Sequence, residues 1–510
     1  MATYTAFDPR TGEPGDATFS DATPGAIAAA VSDAERAFAH AGPPASRDTA
    51  RLLRAIADEL DGLGDRVIET ADRETGLGRP RLTGELARTT GQWRAFASLC
   101  EEGSFVEAVI DHAVPDGRPD LRRMRFPIGP VAVFGASNFP LAFSVPGGDT
   151  ASALAAGCPV VVKAHPSHPE TSELTGAAIA RALERAGAPA GWFSLLHGRS
   201  TAVGEALVTA PAIRAVGFTG SLRGGRALFD LAAARPEPIP VYAEMGSVNP
   251  VFVTATALEA RLDAIAEGFA ASMTQGTGQF CTKPGLAFVP DGPLGRRWTD
   301  QVASRLAGLS GGCLLNAGIR DALAERVGRT RGLPGVELLA GGDGAPDGPG
   351  YTYPPTVVAV AAERFLAEPA LAQEHFGPFA VIVRCEGPAR MVEAARALEG
   401  SLTATVHAEA ADLDAVRPLV DELRRRAGRL IWNGYPTGVA VTAAMMHGGP
   451  YPATTSSLHT SVGTAAIARW LRPVAFQSYP AGLLPPALRD ENPLGLVRLV
   501  DGEWTRGADS

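Results

Sequence analysis

The stretch from Gly129 onward constrains the fold more tightly than any other part of the chain. Short apolar runs alternate there with helical segments: VAVFG from Val131, a helix near ASALAAG, VVVKA from Val160, a helix over ELTGAAIARALERAG, then FSLLHG and AVGFTG. Apolar runs without polar alternation are strands buried on both faces, and buried strands separated by helices build a parallel sheet. A second such series runs from about Val251 to His407, with FAVIVRC and LTATVHA as late strands. The sequence therefore predicts an α/β protein. Its units are 1–245 (N-terminal helices and a first parallel sheet), 246–470 (a second α/β unit) and 471–510 (a proline-rich segment ending in the strand-like GLVRLVDGEW). That last strand has no obvious local partner and is expected to pair with another subunit, because an exposed apolar edge is otherwise an aggregation hazard.

Before the first sheet, residues 22–63 read as helices. Thr23 before Pro24 is a helix start with proline at the first helical position, and Leu52, Ile56 and Leu60 recur on one face. The helical pattern continues to about Leu99, and polar, turn-rich sequence follows from Asp111 to Asp120.

A length of 510 residues exceeds one core and implies two or three domains. Apolar residues make up 45% and charged residues 20%, the balance of an ordinary globular protein. The net charge of -9 argues against a nucleic-acid partner. No apolar run reaches the roughly 18 to 20 residues that span a bilayer. The opening MATYTAFDPRTGEP lacks the pattern of a secretory signal. A cytoplasmic location is the expectation. The five cysteines (Cys100, Cys158, Cys281, Cys313, Cys385) are scattered without the spacing of a zinc site or a disulfide framework, so no metal is expected.

Five motifs carry candidate chemistry. In VAVFGASNFP a strand ends at Gly135, where backbone can approach a ligand, and Asn138 follows with an amide able to donate to an oxyanion. A tight turn with a capping Asn is the alternative. Lys163 ends the apolar strand of VVVKAHPSHP, as a solvated strand end or a ligand contact. VGFTGS places Gly220 and Ser221 before a helix, which suits a phosphate. In YAEMGSVNP, Glu244 stands among small and apolar residues that should raise its pKa, suiting a general base; a structural glutamate is the alternative. In TQGTGQFCTKPG, Cys281 lies among glycines and small polar residues, where backbone donors would favour a thiolate. Cys158 and Cys385, with apolar neighbours, read as core.

These five motifs, in this order, resemble the aldehyde dehydrogenase superfamily over nearly the whole chain. QEHFGP (Gln373 to Pro378) and WNGYPTG (Trp432 to Gly438) add to the resemblance. It implies a Rossmann-type cofactor domain, an α/β catalytic domain and an oligomerisation segment. It assigns Cys281 as nucleophile, Glu244 as general base and Asn138 as oxyanion donor. Lys163 matches the lysine at the adenosine ribose, Gly220 and Ser221 the pyrophosphate position, and Glu374 and Phe376 the pair at the nicotinamide ribose and ring. The family's usual Glu-Leu-Gly-Gly is here Glu244-Met245-Gly246-Ser247, and the first of its Glu-Glu pair is Gln373.

The implied reaction is oxidation of an aldehyde to an acid through a thiohemiacetal and a thioester on Cys281. The segments NFPLAFSVPGGDTASALAAGCPVVVKAHPSHPETSEL and MMHGGPYPATTSSLHTSVGTAAIARWLRPVAFQ are similar to the α-ketoglutaric semialdehyde (2,5-dioxopentanoate) dehydrogenases. Alternatives are an enzyme for medium- or long-chain aliphatic aldehydes, a CoA-acylating enzyme, a reductase, or an inactive homologue. In NAD-using members a glutamate lies three residues after the lysine; here that position is Pro166. NADP is therefore the expected cofactor, with NAD possible, and His165, Ser167 and Arg199 are added candidates for its phosphate. Arg94 is the candidate for pairing with a substrate carboxylate. A homodimer or homotetramer is expected.

Overall fold

The computed structural model describes residues 3–40, 45–115, 117–342 and 349–507. The two predicted strand series form two separate sheets. The first has five parallel strands, Phe193–Leu196, Val160–Lys163, Val131–Phe134, Ala215–Thr219 and Val241–Glu244, in that spatial order. In chain order this is 3-2-1-4-5, the doubly wound arrangement whose strand order reverses beside the first strand and opens a crevice at the carboxyl ends. Both faces are covered. Helices Arg47–Asp61, Arg79–Glu102 and Gly148–Ala156 pack on one side with Trp470, and helices Pro24–Ala39, Thr201–Thr209 and Leu222–Ala233 on the other. This two-sided burial is why its strands read as unbroken apolar runs.

The second sheet runs Glu337–Ala340, Thr356–Ala361, Phe379–Cys385, Leu286–Pro290, Val251–Val253, Ser401–His407 and Ala427–Trp432. All neighbours are parallel except the edge strand Glu337–Ala340. It too has a core on each face. Cys158 and Cys385 are buried, as their apolar neighbours suggested. Thr23 accepts from the Ala26 N–H at 3.1 Å and caps the first helix, Pro24–Ala39.

Two β features were not legible. Residues Thr3–Phe7 and Pro14–Ser20 form an antiparallel hairpin. The third sheet joins Leu471–Gln477, Leu121–Pro127, Val109–Asp111, Arg498–Val500 and Glu503–Thr505. The C-terminal strand is therefore not without a partner in its own chain, which corrects the sequence expectation. Arg498–Val500 pairs in parallel with Val109–Asp111 and antiparallel with Glu503–Thr505. Nearby, His112 N–H and Nδ1 contact the Asp501 carboxylate across 389 positions of sequence, a separation no local pattern reveals. Among the described residues, no helix is long and apolar enough to cross a membrane.

Between the second and third sheets the chain returns to the first. Met245 N donates to Ala453 O at 2.8 Å, and Thr455 receives the Ala243 N–H. Trp470 is fully buried and its indole N–H donates to Ser152 Oγ at 2.8 Å. This residue anchors the returning segment, so Trp470→Ala should remove both packing and a hydrogen bond. The expected loss is about 3–5 kcal/mol, read as a melting temperature lower by several degrees. Trp504, 72% exposed on the edge strand, should tolerate Ser with a far smaller change. Equal effects would contradict the anchoring role.

Candidate active site

The carboxyl ends of the first sheet bring the early motifs together. Glu244 ends its strand, Lys163 ends another, Asn138 lies in the loop after Val131–Phe134, and Gly220 and Ser221 follow Ala215–Thr219. Gly220 N donates to Glu244 O at 3.0 Å. Ser221 caps helix Leu222–Ala233 by accepting from Gly224 N at 3.2 Å. The exposed amino end of that helix stands at the sheet's ligand-binding edge, where its free N–H groups and dipole suit an anion. Gly135 has a packing reason to be glycine besides the one expected. A Cβ there would meet Ser144 Oγ at 2.5 Å, so the loop's packing on itself excludes a side chain.

Cys281 is held by its backbone. Helix Ala255–Thr274 ends in a tight turn, Gln275–Gly278. Gly278 has φ +65° and a Cβ there would strike Gly377 O at 2.3 Å, so the turn needs glycine twice over. Asn249 donates from Nδ2 to Cys281 O at 2.8 Å and to Lys283 O at 2.9 Å. Gln279, fully buried, accepts from Leu315 N at 2.9 Å. Asn138 Nδ2 donates to Gln279 O at 2.9 Å, which fixes its amide beside the Cys281 loop. Ser247, where the family usually has glycine, accepts from Leu402 N and donates to Asn249 Oδ1, both at 2.9 Å. It belongs to the same brace.

A residue that sequence reasoning missed completes the centre. His447 Nε2 lies 2.9 Å from Glu244 Oε1 and 3.5 Å from Cys281 Sγ. The Glu244 approach is close but lacks the alignment of a hydrogen bond. Ser461 donates to the other Glu244 oxygen, and Thr460 receives the His447 N–H at 2.9 Å. The acid, imidazole and thiol donor atoms all lie within 4.8 Å of one another. The only sequence signal was a lone histidine among small residues in MMHGGP.

The electrostatics reverse two sequence expectations. Burial works against the Glu244 charge, but His447 and hydrogen bonds from Ser461 and Cys281 outweigh it, so the carboxyl is held below its usual range. Burial and the Glu244 charge push the Cys281 thiol well above its ordinary value. The resting pair is therefore carboxylate and thiol. Backbone donors do not make a standing thiolate, and reaction requires a base at the sulfur.

The remaining candidates are dispersed around this centre. Lys163 Nζ donates to Gly198 O at 2.6 Å and to Ala164 O at 3.2 Å, and burial pushes it down to about 8. His165 is held neutral by burial, and its Nδ1 accepts from Ser167 N. It offers no positive charge to a phosphate. Ser167 Oγ accepts from Asn316 at 3.2 Å. Arg199 has its N–H on Asp21 at 2.7 Å and its residue surface exposed. Glu374 sits against Gly246, where a Cβ would meet its Oε2 at 2.3 Å, and accepts from Ser247 N at 3.2 Å. Burial raises its pKa. Phe376, two residues on, is half-buried. Arg94 is not at the site: it pairs on the surface with Asp58 at 2.6 Å and Asp61 at 2.8 Å, which corrects that assignment. The helix carrying it faces the site through other arginines.

Residues 2–473 match the aldehyde dehydrogenase family. The chain is 51% identical over 511 residues to α-ketoglutaric semialdehyde dehydrogenase 2 of Azospirillum brasilense, covering 98% of this chain and 96% of that one. It is 43% identical to α-ketoglutaric semialdehyde dehydrogenase of Acinetobacter baylyi, covering 96% and 93%. An NADP-dependent enzyme of E. coli is similar in structure, with a TM-score of 0.78 and 25% identity over 93% of this chain and 94% of that one.

The charge arrangement sets the pH dependence of thiol reactivity. Because the Glu244 carboxylate opposes a negative sulfur, Glu244→Gln should lower the Cys281 pKa. Alkylation by iodoacetamide, followed against pH, should shift to lower pH in that variant. A profile that stays put or moves up would show that Glu244 does not hold the thiol protonated.

Proposed function

The chain belongs to the aldehyde dehydrogenase family, and from that premise we propose that it oxidises 2,5-dioxopentanoate to 2-oxoglutarate with NADP. The observation that carries the reaction is the contact of Cys281, His447 and Glu244 beside the Asn138 amide. The substrate rests on the likeness to the Azospirillum and Acinetobacter enzymes over nearly the full chain.

The residues divide the chemistry as follows. His447 Nε2 takes the thiol proton as Cys281 Sγ bonds to the aldehyde carbon. The oxygen that becomes negative accepts from Asn138 Nδ2; one such donor is typically worth about a hundred- to thousandfold. NADP, when bound, supplies the acceptor for the hydride leaving that carbon, and a thioester remains on Cys281. Glu244 then takes a proton from water as the water oxygen bonds to the carbonyl carbon. The carbon–sulfur bond breaks, the acid leaves, and the sulfur regains its proton through His447. Holding Glu244 below its usual range keeps it ionised for the water step.

The NADP reading rests on Pro166, which leaves no carboxylate three residues after Lys163 to repel a 2′-phosphate. Lys163 and the exposed Arg199 supply charge, and Ser167 a hydroxyl. The nearby Asp21 is engaged with the Arg199 and Ser200 N–H groups at 2.7 and 3.3 Å. The amino end of helix Leu222–Ala233, with Gly220 and Ser221 before it, would hold the pyrophosphate. Glu374 and Phe376 would hold the nicotinamide end. The proposed domains are 1–245 for the cofactor, 246–470 for catalysis and 471–510 for assembly. The proposed assembly is a homodimer or dimer of dimers, and the proposed location cytoplasmic.

Rapid mixing with 2,5-dioxopentanoate tests the reaction. Cys281→Ala should reduce oxidation to background while NADP still binds. Glu244→Gln should give one equivalent of NADPH and then stall, with turnover down by about 10²–10⁴. His447→Gln should instead slow the burst itself. Equal slowing of both phases in both variants would refute this division of labour. For the cofactor, kcat/KM should favour NADP, and Arg199→Ala should weaken NADP about tenfold while sparing NAD. An NAD preference in the wild type would refute it.

A further inference from the structure

Helix Arg79–Glu102 buries charge that nothing in the mechanism uses. Arg81, Glu85 and Arg88 recur at i, i+4 and i+7 and so share one face of it. The Arg81 guanidinium lies 4.8 Å from the Phe139 ring centroid and 4.6 Å from that of Phe280. Arg88 lies 5.0 Å from the Phe143 ring and 6.0 Å from Phe139. These rings border the centre: Phe139 follows Asn138, Phe280 precedes Cys281, and Phe143 lies 6.2 Å from the His447 ring.

The two arginines are poorly satisfied. Arg81 donates once, to Asn138 O, while its Nε and Nη1 are buried without an acceptor among the described residues. Arg88 Nε and Nη2 are in the same condition. Glu85 does not neutralise them by contact. Its Oε1 accepts from Leu141 N at 2.9 Å and Ala142 N at 3.0 Å, and no ion pair joins it to either arginine among the described residues. A buried guanidinium without an acceptor is costly, and proteins retain such groups where an anion completes them. Arg81 is engaged in holding the oxyanion residue. The Glu85 charge acts on Arg88 most strongly, without contact, and Arg88 also feels Cys281 and Glu244. Arg429 also acts on the thiol, but its two terminal nitrogens donate to the Pro436 and Gly438 carbonyls.

We propose that Arg88 is the residue that recognises the substrate's anionic end, its Nε and Nη2 donating as a fork to a carboxylate carried distal to the aldehyde. The inference rests on the reading of an acid-bearing aldehyde and gives that reading its receptor. The fork geometry suits a planar carboxylate, and the aromatic walls exclude the water that would compete for it. A neutral aldehyde leaves both donors unpaired, so selectivity comes from the cost of that vacancy as much as from the bond made.

The test compares 2,5-dioxopentanoate, succinic semialdehyde, glutaric semialdehyde and pentanal on the wild type, Arg88→Gln and Arg88→Lys. In the wild type the best anionic aldehyde should exceed pentanal in kcat/KM. Arg88→Gln should cut that ratio by roughly a hundredfold, mainly through KM. Arg88→Lys, which keeps the charge but loses the fork, should fall between. NADP affinity, read by fluorescence, checks that each variant is folded. A ratio unmoved by Arg88→Gln would overturn the proposal, as would equal losses on anionic and neutral aldehydes. If the wild type prefers an anionic aldehyde other than 2,5-dioxopentanoate and Arg88→Gln erases that preference, the substrate reading fails and the Arg88 assignment stands. No preference for any anionic aldehyde would remove both.

Discussion

The contact of a buried carboxylate with an imidazole and a thiol is the constraint around which this chain is organised. Glu244 ends a strand of the first sheet, Cys281 follows the long helix of the second unit, and His447 belongs to the segment that returns between them. The carboxylate is expensive to bury alone, and the imidazole, the Ser461 hydroxyl and the thiol make it tolerable. The supporting bonds serve that contact. Asn249 holds the Cys281 carbonyl, Ser461 holds Glu244, and Thr460 holds the backbone of His447.

The site was legible where function is written in local sequence. Cys281, Glu244 and Asn138 stand in stretches whose glycines and small residues mark strand ends and turns. The structure places them together because parallel sheets deliver their strand ends to one edge. The two parallel sheets were legible for a related reason, since burial on both faces leaves an apolar run without alternation. Their boundaries and connecting helices follow from the same pattern.

What was not legible depends on distant partners. His447 and Asn249 look like ordinary loop residues until the fold brings Cys281 to them. Arg94 and Arg88 stand six residues apart on one helix, and their sequence neighbourhoods do not distinguish surface from site. Exposure decides it: Arg94 meets Asp58 and Asp61, whereas Arg88 packs over aromatic rings. The shifts of Cys281 and Glu244 ran opposite to expectation because both depend on distant partners: burial and the Glu244 charge raise the thiol, and the unseen imidazole helps to lower the carboxyl. The third sheet escaped notice because its strands come from opposite ends of the chain.

That sheet has a consequence for how the protein is made. Strand Val109–Asp111 finds Arg498–Val500 only after nearly the whole polypeptide has been synthesised. At about 5–20 residues per second, crossing the 389 positions between His112 and Asp501 occupies on the order of 20–80 s. Throughout that interval the first sheet can form, but His447 and the Trp470 anchor arrive only near its end. His447 is thus the last of the three groups in the Glu244–Cys281–His447 contact to leave the ribosome. An aborted chain ending before residue 447 would carry Cys281 outside the buried, carboxylate-flanked setting that holds its thiol protonated in the folded protein.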